Sequence, residues 1–401
     1  MPANELNPRS RGMKYRTLFA MLATAAMLAG CATQTNKAAE AVFFPPAPDL
    51  PRIQFLMGIA DSRDVEGRKD SFSVFSVGET EEEKVKYILK PYGIAVKGST
   101  IYVCDTKTAQ VSVMDLTQKS FKFLKGNFGA GKLKKPINLS VDSDGNLYVA
   151  DVDRKEVLMY DPAGNFLMAY GKDLDMKPVD VGAYGDFVYV LDFNHSDIKI
   201  LDRQTGNLLE TIGKGSSNPD ENLSLPSNMS VDAKGFIYTT NTTTGKVVKL
   251  DRDGHVLTSF GKLGDGFGQF GRPKGISVDD DGLIYVVDAA HQNIQIFSDI
   301  GRLLMFFGDP GLPIGSLNIP AGIATSRDNL DYFQKLSDPS FQIEQLIFVT
   351  NQSENPKISI YGMGHKKGAD YEKAIQETLK ERQKKVEDLK KKLDESDSKK
   401  K

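Results

Sequence analysis

Apolar and polar residues alternate in short runs along most of this chain, and Gly, Asp and Pro separate the runs. A period of two marks a strand with one buried face, and the bounding residues mark chain reversals. One kind of run opens on a proline: Pro91 to Val96, Pro136 to Val141, Pro178 to Val181, Pro226 to Val231, Pro273 to Val278 and Pro320 to Thr325. A second ends in Asp or Asn: Asp105, Asp151, Asp192, Asn241, Asp288 and Asn351. A third alternates, as in Ile198-Lys-Ile-Leu and Ile294-Gln-Ile-Phe. A fourth ends on an apolar residue and glycine, at Gly171, Gly213, Gly261 and Gly308. The pattern predicts antiparallel units of four strands.

The opening prolines are 45, 42, 48, 47 and 47 residues apart. A four-stranded unit repeated at that period predicts an all-β fold, a six-bladed β-propeller, whose radial closure protects its sheet edges. The sixth unit lacks its fourth strand. Arg52 to Gly58 has the missing pattern. It is expected to complete the last blade, so that both ends of a ring over 51–364 join in one sheet.

The segment from Phe260 to Asp279, with Gly264, Gly266, Gly268, Pro273 and Gly275, resembles the linker and first strand of an NHL repeat. Asp288 to Phe297 resembles its second half. NHL-like propellers are chiefly interaction modules, so the resemblance implies a binding scaffold. Propeller enzymes such as amidating lyases hold a metal at one rim with histidines from different blades. That comparison directs attention to His195 and His291, which share one repeat position in blades three and five, between second and third strands.

The first 30 residues read differently. Arg9, Arg11, Lys14 and Arg16 precede an uncharged stretch from Thr17 to Leu28, then Ala29, Gly30 and Cys31. This basic, apolar, small-residue order is that of a secretory signal, and Leu28-Ala-Gly-Cys31 looks like a bacterial lipobox. Residues 1–30 are expected to be a lipoprotein signal peptide, cut before Cys31, with that sulfur acylated. A start at Met13 would make the signal compact. Two or more acyl chains give stable membrane attachment. Ala32, in place of an aspartate, favours the outer membrane of a bacterial cell envelope. Residues 31–50, with Pro45, Pro46 and Pro48, read as an extended tether. Residues 365–401 read as a charged helical tail, with Ile375, Leu379, Val386, Leu389 and Leu393 at helical spacing.

Composition narrows the chemistry. A formal net charge of -2 gives no global drive toward nucleic acid. With Cys31 acylated, Cys104 is alone, so neither a disulfide nor a cysteine metal site is expected. Its apolar run makes it a buried small hydrophobe. The strand-end acids recur in nearly every blade, which points to turn bracing rather than catalysis. Asp142-Ser-Asp-Gly and Asp279-Asp-Asp-Gly lack the downstream Glu of a calcium loop and read as hairpin turns.

A catalytic zinc wants three protein ligands and an open position. His195 and His291 supply two, with Asp197 and Glu354 near them in repeat position. No metal or cofactor is therefore expected; the two histidines read as solvent-exposed or loop-bracing, with a channel-mouth ligand site as the sharper alternative. Tyr332, Phe333 and Phe341, in an insertion over 327–345, would be costly to expose together and either pack against the propeller or contact a partner, and the excursion over 59–90 is a similar candidate. The expected function is a lipid-anchored envelope scaffold that binds a protein, glycan or small ligand. The alternative is a metal-assisted lyase or lactone hydrolase with its site in the channel.

Overall fold

The computed structural model describes residues 41–67, 85–215, 222–308 and 314–377, with 218, 310, 380, 383–385 and 387 besides. The signal segment, Cys31, Phe72 to Glu83 and the tail's Leu379, Val386, Leu389 and Leu393 lie outside the described residues.

Strands β1 (Phe43–Phe44) and β2 (Ile53–Ile59) come first in the chain and last in the ring. Blade one is β3 (Pro91–Lys97), β4 (Thr100–Asp105), β5 (Gln110–Asp115) and β6 (Ser120–Phe123). Blade two is β7 (Pro136–Val141), β8 (Leu147–Asp151), β9 (Glu156–Tyr160) and β10 (Phe166–Tyr170). Blade three is β11 (Pro178–Tyr184), β12 (Phe187–Asp192), β13 (Asp197–Asp202) and β14 (Leu208–Ile212). Blade four is β15 (Pro226–Val231), β16 (Ile237–Asn241), β17 (Lys246–Leu250) and β18 (Val256–Phe260). Blade five is β19 (Pro273–Val278), β20 (Ile284–Asp288), β21 (Asn293–Phe297) and β22 (Leu303–Phe307). Blade six takes β23 (Pro320–Ser326), β24 (Phe341–Asn351) and β25 (Ile358–Lys366) from the C-terminal side.

Each of the first five blades is a four-stranded antiparallel meander. The sixth has the order β1-β2-β25-β24-β23, with Phe55 opposite Tyr361 and Ile59 opposite Ile358. The closing strand is thus where the alternation put it. The extra strand β1 is not in the tether reading. Phe44 is 4% exposed and packs on Phe307 and Tyr361, with ring centroids 5.8 and 6.2 Å away. The sheet therefore begins inside the Pro-rich segment, well before residue 51. It ends at Lys366, past 364.

Apolar clusters fill the wedges between blades. Tyr148, Tyr189, Tyr238 and Tyr285 repeat on the second strands, each 0–1% exposed. Cys104 is fully buried and free, and burial pushes its thiol well up. Turn glycines fit the linkers closely. Gly213 has φ +92°, and a Cβ there would stand 2.7 Å from Leu223 Cδ1, the linker residue that leads into blade four.

The insertion in blade six packs against the propeller, so Phe333 and Phe341 are core rather than partner contacts. A short helix, Leu330–Gln334, lays Phe333 against Phe348 with centroids 5.8 Å apart. Phe341 is 0% exposed, and Phe43 of the added strand packs against it at 5.5 Å. Tyr332 is half-buried, edge-on to Phe333. Exposing these rings together would be costly, and the ring had room to bury them. In the excursion after β2, a second short helix, Ser62–Glu66, ties to blade one: Lys86 pairs with Glu66 at 2.7 Å, and Phe121 N–H donates to Glu66.

The tail's beginning docks on the closing strand. Tyr371 donates to Pro51 O at 2.6 Å, and Arg52 stacks over its ring at 4.0 Å. Residues 371–377 are helical. No helix among the described residues is long and apolar enough to cross a membrane.

Candidate functional site

The strand-end acids close one face of the disc. Asp151 accepts the amides of Lys134, Lys135 and Arg154. Asp288 accepts those of Gly271, Arg272, Ala290 and His291. Asp105 does the same with Leu89, Lys90, Lys107 and Thr108. Each carboxylate thus ties the approach to a blade's first strand to the loop after its second. That is a bracing role, and it explains the repetition without catalysis.

His195 and His291 join this bracing. His195 Nδ1 lies 2.6 Å from Asp192 Oδ2. His291 Nδ1 lies 2.7 Å from Asp288 Oδ2, and its Nε2 lies 3.1 Å from Asp265. The Asp265 hydrogen bond, with Asp288 assisting, holds the His291 imidazole above its ordinary range. Asp197 is engaged by Lys199 at 3.0 Å, and Glu354 is exposed on the sixth blade's loop. Each histidine is held by its own blade's acid. Among the described residues, the group with metal-ligand spacing is Asp251, Asp253 and His255. It lies in the β17–β18 turn on the opposite face, where Asp251 accepts the amides of Asp253 and His255. That is turn chemistry.

The opposite face is latched between blades. Arg203 pairs with Asp142 and lies 2.9 Å from the Tyr148 hydroxyl, joining blade three to blade two. Asp142 also accepts the amides of Asp144 and Asn146, as a hairpin turn requires. Arg327 pairs with Asp281 across blades six and five.

The channel itself is divided into two spaces. One is a cavity of about 250 Å³ lined by the first strands of all six blades toward the opposite face. Its polar layer holds Asn138, Asp180 and Asn228, with Gly275 and Gly322 at the matching positions. Asp180 is 3% exposed and accepts the amides of Val181 and Met229, both at 2.8 Å. Burial outweighs those bonds and pushes its carboxyl up to about 7.

The other is a vestibule of about 430 Å³ at the mouth on the face of the bracing acids. Tyr92 forms its floor: from blade one its hydroxyl reaches Asn228 of blade four, 3.4 Å away. Lys274 of blade five lies over that ring, with Nζ 4.6 Å from the centroid. Lys135, Lys177 and Arg272 stand around the wall, with Phe193, Ser227 and Thr243.

These basic residues were missed by reading the sequence for histidines and carboxylates. The signal was there. The residue before the opening proline is Lys90, Lys135, Lys177 and Arg272 in four blades, and Leu225 and Ile319 in the other two. Overall charge hid it, because the net value averages over a face where the charge is concentrated.

The NHL repeat family model matches residues 270–297, which span the β19–β21 region that carries Arg272 and Lys274. The chain is a six-bladed β-propeller with an NHL repeat in its fifth blade. Among solved structures, this propeller is similar to a gluconolactonase from Xanthomonas campestris. The two are 15% identical, with a TM-score of 0.50 over 82% of this chain and 99% of that one. It is also similar to a protein of unknown function from Bacteroides thetaiotaomicron, 14% identical, with a TM-score of 0.54 over 78% of this chain and 75% of that one. Virginiamycin B lyase from Staphylococcus aureus is 15% identical, with a TM-score of 0.47 over 68% of this chain and 84% of that one. At such identities the likeness is one of fold alone. No curated protein matches the chain.

Proposed function

We propose that this propeller is a binding module of the bacterial cell envelope, lipid-anchored through Cys31, that holds a small ligand at the mouth of its channel. The observation that carries the binding role is the vestibule: a walled space of about 430 Å³, floored by Tyr92 and open to solvent on the braced face. Ligand pockets of folded proteins are concave spaces of this order with a few convergent polar groups. The bracing acids support the role by holding the wall residues' backbone in place before a ligand arrives, which lowers the ordering cost of binding. The lipid anchor is supported by the lipobox-like Leu28-Ala-Gly-Cys31.

Native mass spectrometry of the protein extracted from envelopes tests the vestibule. A bound non-protein mass is expected, and it should be lost in Thr243→Trp, where the large ring fills the mouth. A wild-type protein without such a mass, or a variant that retains it, sinks the reading. Labelled palmitate should enter the wild-type chain and not Cys31→Ser.

A further inference from the structure

Lys274 is 8% exposed, and among the described residues its ammonium makes no hydrogen bond or ion pair. Its one partner is the Tyr92 ring. A buried ammonium without a counter-charge is costly, and a ring face returns only part of that cost. Desolvation lowers its proton affinity, and Arg272 and Lys90 add like-charge repulsion. Arg272 and Lys177 likewise form no ion pair among the described residues; Lys177 instead lies over Phe193 at 4.5 Å. Lys135 reaches Asp153 at 4.0 Å, but both are about half exposed, so that pair is weak.

The nearby carboxylates do not relieve this crowding. Asp151, Asp192 and Asp288 are turned to backbone amides of the same blades, and Asp192 and Asp288 also to Lys199, His195 and His291 rather than to the four cations. Asp180 lines the other space of the channel rather than the vestibule, and burial favours its neutral form. The fold therefore converges four cations from three blades on one space, and among the described residues Lys177, Arg272 and Lys274 form no ion pair there. Blade four adds the hydroxyls of Ser227 and Thr243, while Ile137, Val179 and Phe193 offer apolar wall.

We propose, resting on the reading of the vestibule as the ligand site, that it takes a small organic polyanion. The ligand's phosphoryl or carboxylate groups are held by Lys135, Lys177, Arg272 and Lys274, and its carbon body lies against Phe193 and Val179. Arginine offers a planar fork to either oxyanion, and the lysines act as point charges.

The test uses the whole soluble Cys31→Ser chain in low-salt titration calorimetry, with inorganic pyrophosphate and citrate as separate probes and a neutral disaccharide as control. At least one polyanion binds at one site, and the stronger of the two assigns phosphoryl or carboxylate preference. Affinity falls at least about tenfold in Lys274→Met and in Arg272→Gln. It is unchanged in Lys234→Gln, on a hairpin turn of the opposite face. Lys274→Met keeps the side chain's length and removes the lone charge, so a folded variant is expected. Equal affinity in wild type and Lys274→Met overturns the proposal, as does an equal loss in Lys234→Gln, which would mean diffuse attraction. An uncharged vestibule ligand in the envelope extract would overturn the polyanion while leaving the vestibule as the binding site.

Discussion

Burial holds the Lys274 ammonium down to about 8, from 10.5. Between those values the unfolded chain binds more protons than the folded one, so this group makes stability rise with pH. Lys274→Met should remove the rise between pH 7 and pH 9.5 in urea melts, and should be the more stable protein at pH 7. Asp180 behaves oppositely. Its carboxyl moves from 3.8 up to about 7, so the folded state holds the extra proton and stability falls as pH climbs through that window. The fall is about 4 kcal/mol at most, and Asp180→Asn should flatten it in the same melts at pH 4.5 and pH 8. His291 is raised by Asp265 and Asp288. Its contribution is fully present below its ordinary range near 6.5 and is lost as pH rises through the higher folded value. His291→Gln should therefore cost stability at pH 5.5, by up to about 1 kcal/mol, and almost nothing at pH 9. At this scale the sequence named the histidines but not what they touch. Position in a repeat does not reveal which carboxylate sits 2.7 Å away.

The closing blade decides stability at the scale of elements. Strand β2 joins residues about 300 positions apart in the chain, since Ile53 pairs with Met363. Phe44, on β1, adds a ring to the cluster of Phe307 and Tyr361. Phe44→Ala should cost about 3–4 kcal/mol in denaturant unfolding, as for other large-to-small core changes. If the proline-rich segment were a free spacer, the loss would be near zero. The four-strand unit, its bounding prolines and the borrowed closing strand were legible from alternation alone. The insertion was legible only in part: the cost of exposing its rings together favours self-packing, but the surfaces that take Phe333 and Phe341 are visible only when Phe348 and Phe43 are seen against them.

Over the whole molecule, the N-terminal strand, the ring seam and the start of the tail share blade six, joined by Tyr371 to Pro51 and Arg52. The vestibule is walled by blades one to five. If Cys31 carries the proposed lipid, Cys31→Ser should release the protein from membranes in fractionation with its thermal unfolding unchanged, because Cys31 precedes the first strand of the ring in the chain. Loss of folding in that variant would refute the separation of anchor from fold.

The alternation of apolar and polar residues by itself determined the strands, the six-fold count and the closure, since those follow from local period and from the need to pair every sheet edge. Only the tertiary structure decided the site. Lys135, Lys177, Arg272 and Lys274 are more than a hundred residues apart at the extremes, and a radial fold brings the residues on either side of each blade's opening proline to one mouth. Whether a side chain braces a turn, fills the core or faces an empty space depends on neighbours that are remote in sequence, which local periodicity does not encode.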